Sequence, residues 1–201
     1  MTKVVSFNPE SWYNNLSHIV HLPSPQRYAA LTQLHRSTAG TYIDALQKMT
    51  ERQAEEISSD GRKKKIVVAH IMGWEEWQAQ AFSDTNRLPD QMKLKGYDNP
   101  FTGETKNFNS VDEFNAYQEN LYRNWIWDDI KKKAIATTRK LQSFFPDQPP
   151  KGWLDYLDST PIKEWRVTKD ITIRIPGAWY LWMVSLEHEA VEHRQDLVIN
   201  E

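Results

Sequence analysis

Four stretches of the sequence carry apolar side chains three and four residues apart, which is the spacing of one face of an α-helix. The first follows Pro23-Ser24-Pro25, where Ser24 can cap a helix and Pro25 suits its first position, and it ends near Ile57. The second runs from about Lys64 to Phe82. Each stretch is long enough to predict a helix of several turns.

The other two stretches lie in the second half of the chain. Ser110 followed by Glu113 is a capping-box pattern, and the apolar spacing then continues to about Phe145, next to Pro146. The last stretch opens at Pro176-Gly177 and reaches the C-terminus. Four long helices predict an all-α protein, a four-helix bundle in which metal and cofactor sites form from side chains on facing helices.

The segments that connect these helices are long. Residues 84–109 form a polar loop that exceeds the usual length for a compact domain. Residues 166–175 alternate apolar with polar side chains and predict a small β-hairpin before the last helix. Residues 1–22 are an N-terminal extension or a short helix, because they carry apolar residues at helix-like spacing. The length of 201 residues fits a single domain over 1–201.

The composition argues against several classes of protein. Lys plus Arg number 25 and Asp plus Glu 27, so the net charge of −2 provides no basic surface for nucleic acid. No stretch approaches the roughly 20 apolar residues of a membrane span. The absence of Cys excludes disulfides, thiolate metal sites and a cysteine nucleophile. No secretory signal is evident, so we expect a cytoplasmic protein.

The last predicted helix carries two pairs of residues four apart, Glu189 with His193 and His188 with Glu192. His188 and His193 are five residues apart, which is an angle of about 140° on an α-helix, so they are not expected to share one ion. Apolar residues such as Trp182 lie on the side of His193. We therefore expect Glu189 and His193 to project into the bundle and His188 to lie on the opposite flank.

His70 is the inward-facing histidine of the second predicted helix. It can converge with Glu189 and His193, and three nitrogen and oxygen ligands with an open fourth position form a catalytic type of zinc site. The same set can hold Fe(II). The spacing alone favours an alternative, in which Glu189 and His193 make an ordinary hydrogen bond and His70 bonds a carbonyl. Asp196 would either orient a ligating imidazole or be a solvated charge.

The remaining histidines carry no stronger interpretation than solvated or locally bonded side chains; they are His18, His21 and His35.

Two segments resemble the DinB/YfiT-like metalloenzyme superfamily: VVAHIMGWE at 67–75 and EAVEHRQDL at 189–197. The resemblance extends over about 26–197 and the four-helix order. In this superfamily one metal ligand is a His on the second helix, and two ligands lie four residues apart on the last. Many members have His at both of these positions. This chain has Glu189 at the first, as the maleylpyruvate isomerase branch does, and its ending is also similar to that of the colibactin-resistance type.

The resemblance implies that His70, Glu189 and His193 hold a divalent metal, with zinc as the expected ion and nickel or iron as the others. The metal would activate water or an exogenous low-molecular-weight thiol for transfer to, isomerisation of or hydrolysis of a small electrophilic substrate. Aromatic side chains could line the pocket around the metal, and the candidates are Trp74, Trp77, Trp182, Tyr97 and Phe101. The alternative is plain packing in the core, which is the favoured interpretation for the three tryptophans.

Two other functions are compatible with the same sequence. The protein could be a non-catalytic bundle that binds small molecules or serves a stress response, with no working metal. Its aromatic faces could also chiefly form a homodimer. Lys63, Lys64 and Lys65 are interpreted as a solvated turn before a helix rather than an anion site.

Overall fold

A computed structural model describes residues 8–169 and 171–197, and the protein is mostly helical over these ranges. Residues 1–7, 170 and 198–201 lie outside the described residues, and with them part of the predicted N-terminal extension and the end of the last predicted helix. The helices are α1 (Pro9–Val20), α2 (Ser24–Lys48), α3 (Glu51–Ala54), α4 (Lys64–Ser83), α5 (Leu88–Gln91), α6 (Val111–Tyr122), α7 (Trp127–Ser143), α8 (Trp153–Ser159) and α9 (Gly177–Glu187). A 3₁₀ turn at Thr85–Arg87 precedes α5, and a π-helical segment at His188–Glu192 follows α9. The strands are β1 (Tyr97–Asp98), β2 (Thr105–Lys106), β3 (Ile162–Arg166) and β4 (Thr172–Pro176).

The N-terminal segment forms α1, as its apolar spacing predicts. The Asn8 side chain accepts a hydrogen bond from the Ser11 amide at 3.3 Å, and Pro9 occupies the first helical position. The buried face of α1 includes Trp12 and Leu16 and packs against α2.

The first long predicted helix is interrupted. α2 ends at Lys48 because Met49 adopts an extended backbone conformation, and Thr50 then caps the short α3. The Gln53 amide donates to Thr50 Oγ1 at 3.3 Å, and the Thr50 amide donates to Gln53 Oε1 at 2.9 Å. The prediction of one helix as far as Ile57 was therefore wrong, since this capping box starts a separate helix.

The third long predicted helix is two helices, α6 and α7. Ser110 Oγ accepts from the Glu113 amide at 3.1 Å, so the predicted start is confirmed. The chain then leaves helical geometry, and Ile126 is extended. Tyr122 and Trp127 are both buried, and an unbroken α-helix would turn them about 140° apart. The break lets both rings face the core.

α4 ends one residue beyond the predicted Phe82 and packs against α6, α7 and α9. Several of its polar side chains are buried with its apolar ones. Glu76 accepts a hydrogen bond from the Tyr122 hydroxyl at 2.8 Å and forms an ion pair with Lys133. Gly73 allows close approach of α6, because a Cβ there would lie 2.7 Å from Gln118 Cδ. Buried polar side chains of α4 therefore form hydrogen bonds and ion pairs with neighbouring helices.

The connections between the long helices contain short elements of their own. Part of the long polar loop folds into α5 and the β1–β2 hairpin. The β3–β4 hairpin pairs Ile162 with Pro176 and Arg166 with Thr172, which confirms a hairpin before the last helix.

The largest hydrophobic core lies around α9. Trp182 stacks on Phe145 with ring centroids 3.8 Å apart, and Trp179 and Tyr28 pack beside it. Burial of aromatic rings of this size contributes a large share of the hydrophobic stabilisation. Along the described ranges, none of the helices combines the length and the apolar content that a membrane span requires.

Candidate metal centre

The last helix changes geometry where its histidines begin. α9 is α-helical as far as Glu187, and His188–Glu192 is π-helical. The His193 amide donates to the His188 carbonyl at 3.3 Å, so residues five apart are one turn apart here. His188 and His193 consequently lie on one side. The prediction that His188 lies on the opposite flank was wrong, because it assumed an unbroken α-helix.

Three imidazoles meet between α4 and the π segment. His188 Nε2 lies 3.0 Å from His70 Nε2. The ring centroids of His70 and His193 are 5.1 Å apart, and those of His188 and His193 are 4.9 Å apart. Each side chain offers one nitrogen within 4.8 Å of the other two. His70 and His193 are buried, and His188 is only partly exposed, so the cluster is a compact, largely enclosed site.

A carboxylate contacts the Nδ1 atom of two of these three imidazole rings. Glu192 Oε2 lies 2.8 Å from His188 Nδ1, and Asp196 Oδ2 lies 3.1 Å from His193 Nδ1. The other Asp196 oxygen accepts hydrogen bonds from the Ser59 amide at 3.1 Å and the Ser59 hydroxyl at 2.5 Å. A carboxylate on one imidazole nitrogen orients the ring and makes the opposite nitrogen a better metal ligand. The arrangement directs the Nε2 atoms of His188 and His193 to the shared site.

The protonation state of the site suits metal binding. Burial, together with the neighbouring His188 and His193, lowers the pKa of His70 to about 3. Burial also lowers the pKa of His193. Neutral imidazole is the form that binds a metal. His193 Nε2 is buried and has no hydrogen-bond partner among the described residues, which is the kind of orphaned nitrogen that a metal ion would satisfy. These residues fit a divalent metal.

A second group of potential ligands overlaps the first at His193. Asp60, His193 and Asp196 also offer atoms within 4.8 Å of one another. Asp60 is exposed, however, and its carboxylate is paired with Arg62. The guanidinium of Arg62 and the hydroxyl of Ser58 hold the pKa of Asp60 below its usual range, despite partial burial. The three-histidine cluster is therefore the stronger candidate.

Glu189, the third predicted ligand, lies elsewhere. It belongs to neither group of potential ligands found in the described part of the chain. Its side chain is buried and lines a cavity of about 750 Å³ beside α2, together with Tyr42. The structure thus brings together two predicted ligands, His70 and His193, and places Glu189 with a different set of side chains.

The aromatic residues predicted to surround the metal are dispersed. The Trp74 ring lies 6.3 Å from that of His188, and its Nε1 donates to Asn115 at 3.1 Å. Trp182 is in the main core, where its Nε1 donates to His35 Nδ1 at 3.1 Å. Among the ring contacts of the described residues, Trp74 is the one of the three predicted tryptophans, Trp74, Trp77 and Trp182, that contacts the cluster.

The two other predicted wall residues of the long loop have separate places. Tyr97 is fully buried, stacks on Trp77 and donates to Glu76 at 3.2 Å. Phe101 is half exposed and packs near Trp125.

Sequence reasoning missed His188 as a member of the cluster, although it paired His188 with Glu192. The His188–Glu192 spacing of four was visible, but helical periodicity placed the pair outside the core. The five-residue separation of His188 and His193 was the one available signal. It places two side chains on the same side only where the helix is π-helical.

Comparison with protein-family models, with curated proteins and with solved structures finds no match for this chain.

Proposed function

We propose that the protein is a divalent-metal-dependent enzyme whose ion, zinc in the first instance, is held by His70, His188 and His193. The observation that carries the proposal is the meeting of three imidazoles, two of them backed by carboxylates and one with an orphaned buried nitrogen. Three protein ligands and an open position are the arrangement of catalytic zinc sites. This ligand set replaces the one inferred from spacing, with His188 in the place of Glu189.

The chemistry proposed for the site is activation of a small nucleophile. A metal held there would act as a Lewis acid and lower the pKa of water or of an exogenous thiol in its open position. The chain contributes the orientation of the ligands through Glu192 and Asp196 and a partial apolar cover through Trp74. Because the sequence has no Cys, any thiol must come from outside, and a small electrophile is the proposed second substrate.

The proposal includes a four-helix bundle as the fold. α2, α4, α7 and the α9–π segment are proposed as the four helices of a DinB/YfiT-like bundle. The contacts of α4 with α7 and α9, and of α2 with α7 and α9, support it. So does the position of the histidines, one on α4 and two at the end of the chain. A cytoplasmic location and a homodimer stay predictions.

Metal content per chain tests the ligand set directly. Elemental analysis of protein purified without a histidine tag should find about one divalent ion per chain. Separate His70→Ala, His188→Ala and His193→Ala variants should lose it, whereas Glu189→Gln should keep it. Loss of metal in Glu189→Gln with retention in His188→Ala would replace the proposed set by His70, Glu189 and His193.

Activity separates an enzyme from a binding protein. The metal-loaded protein should consume small electrophiles in the presence of water or one of several low-molecular-weight thiols, and His188→Ala should abolish this turnover. Stoichiometric metal without turnover of any substrate would favour the alternative of a non-catalytic small-molecule-binding bundle. Protein that takes up no zinc even in excess would exclude the metal site altogether.

A further inference from the structure

A second polar cluster lies beside the π segment and shares no residue with the three-histidine cluster. Glu189 and Tyr42 line the cavity of about 750 Å³ beside α2, and Glu75 of α4 lies close behind them. Glu189 is 5% exposed, Tyr42 3% and Glu75 1%. Three ionisable side chains from three different elements therefore share one almost solvent-free place.

Part of the hydrogen-bonding capacity of this cluster is unused. Glu75 Oε2 accepts from the Thr138 hydroxyl at 2.9 Å, and the Glu75 and Glu189 carboxyl groups share a hydrogen bond with each other. Within the described residues, the Tyr42 hydroxyl and the second oxygen of Glu189 have no hydrogen-bond partner. Native proteins leave few buried polar atoms unsatisfied. Two such atoms on side chains that line the cavity point to a ligand that hydrogen-bonds to them.

The unpaired atoms select the kind of ligand. Carboxylate oxygens accept hydrogen bonds and do not donate them, so a ligand that binds Glu189 must carry a donor. A cation stabilises a buried carboxylate, whereas an anion destabilises it. An ammonium group carries three donors and a positive charge, and it can satisfy several of these acceptors at once.

The rest of the cavity is suited to an apolar body. Trp12, Leu34, Ala45 and Leu197 contribute apolar wall, so the cavity offers hydrocarbon surface next to its acidic floor. Charged residues of both signs line the cavity as well; they are Asp44, Lys48 and Arg194. A ligand pocket with mostly apolar walls and a few convergent polar groups is the usual form of a small-molecule site.

We propose that this cavity binds small primary amines with an apolar body, the ammonium group being held by the Glu189 carboxylate and the Tyr42 hydroxyl. Glu75 lies behind Glu189 and shares a hydrogen bond with its carboxyl group. The site does not depend on the metal, since Glu189 is separate from the three-histidine cluster. Glu189 is then a ligand-binding residue.

Isothermal titration calorimetry with three probes of one shape tests the proposal. The probes are phenethylammonium, the neutral 2-phenylethanol and the anionic 3-phenylpropanoate, added at pH 7 to the full chain before and after metal removal with a chelator. The ammonium probe should bind at least about tenfold more tightly than the other two, with and without metal. Equal affinity for the three probes, or amine binding only to the metal-loaded protein, would overturn the proposal.

Matched variants locate the binding. Glu189→Gln keeps the size of the side chain and removes its charge, and it should weaken amine binding about tenfold. Asp44→Asn removes an exposed carboxylate that lines the same cavity and should change affinity much less. Unchanged affinity in Glu189→Gln would contradict the proposal.

Two further variants keep the test independent of folding and of the metal. Tyr42→Phe removes a single oxygen and should also weaken amine binding, so it decides the matter if Glu189→Gln does not fold. His193→Ala should lose the metal and keep the amine, so failure of the metal site and failure of this site give different results.

Discussion

At the scale of single residues, the candidate site depends on the carboxylates that contact two of its histidines. Glu192 contacts His188 Nδ1, and Asp196 contacts His193 Nδ1. Asp196 is itself fixed by two hydrogen bonds from Ser59, which belongs to the turn before α4. The orientation of a ring at the end of the chain is therefore determined by a residue more than a hundred positions earlier.

Removing this outer support should weaken metal binding without abolishing it. Asp196→Ala leaves all three imidazoles in place but frees the His193 ring, so we expect metal affinity to fall about 10–100-fold. Competition with a chromogenic chelator measures the change.

The exposed Asp155 of α8 provides the control, and Asp155→Ala should bind metal as the wild type does. Wild-type affinity in Asp196→Ala would show that the Asp196 contact has no role in the site.

At the scale of elements, the π segment is what brings the histidines together. A π-helical turn accommodates about one residue more than an α-helical turn, and such turns are rare and are frequently found at functional sites. Here the extra residue places His188 and His193 on the α4 side and leaves Glu189, which lies between them, facing α2. One short segment thus presents ligands to two different neighbours.

Deleting a residue of this segment should therefore be tolerated by the metal site. Removal of Val191 leaves the two histidines four residues apart, which is the spacing that shares one face of a regular α-helix. We expect this variant to retain about one metal ion per chain.

Removal of Val184 from the regular part of α9 is the matched control. It turns every later residue by about 100° relative to the core, so metal should be lost. Loss of metal in the Val191 deletion, with folding intact by circular dichroism, would mean that the π geometry itself is required.

At the scale of the whole molecule, a buried histidine makes stability depend on pH. His35 is 1% exposed and accepts a hydrogen bond from Trp182 Nε1 at 3.1 Å. Burial lowers the pKa of His35 from 6.5 to about 3. Between these two values the unfolded chain binds a proton that the folded protein does not, so the free energy of unfolding falls as the pH drops below 6.5.

Replacing this histidine should flatten the pH dependence. Because each pH unit below 6.5 lowers the free energy of unfolding by about 1.36 kcal/mol, His35 should reduce this free energy by about 2 kcal/mol at pH 5. His35→Gln keeps an acceptor for Trp182 and does not titrate. Between pH 7.5 and 5, its free energy of unfolding should therefore fall by about 2 kcal/mol less than that of the wild type. Urea unfolding at both pH values measures the difference.

The exposed His21 provides the control, and His21→Gln should follow the wild type. A His35→Gln variant with the same pH dependence as the wild type would show that His35 is protonated in the folded protein.

The sequence predicted those elements whose signals are local. The Ser110–Glu113 cap, the start of the last helix and the hairpin before it follow from turn residues and periodicity, and the structure agrees. The breaks at Met49 and before α7 were not predicted, although Thr50-x-x-Gln53 is a visible capping box. The apolar spacing continues across both breaks. Such spacing shows which side chains are buried, but it does not show whether the backbone between them is helical.

The sequence by itself determined that this is a mainly helical chain with inward-facing histidines on α4 and near its end. Helical periodicity and caps act within a few residues, so they can be read along the chain. Only the tertiary structure decided which side chains meet. A π segment of five residues brought His188 to the other two imidazoles and placed Glu189 beside the cavity that α2 lines. Such a local change of helix geometry depends on the contacts that neighbouring helices offer, and these involve residues far apart in sequence.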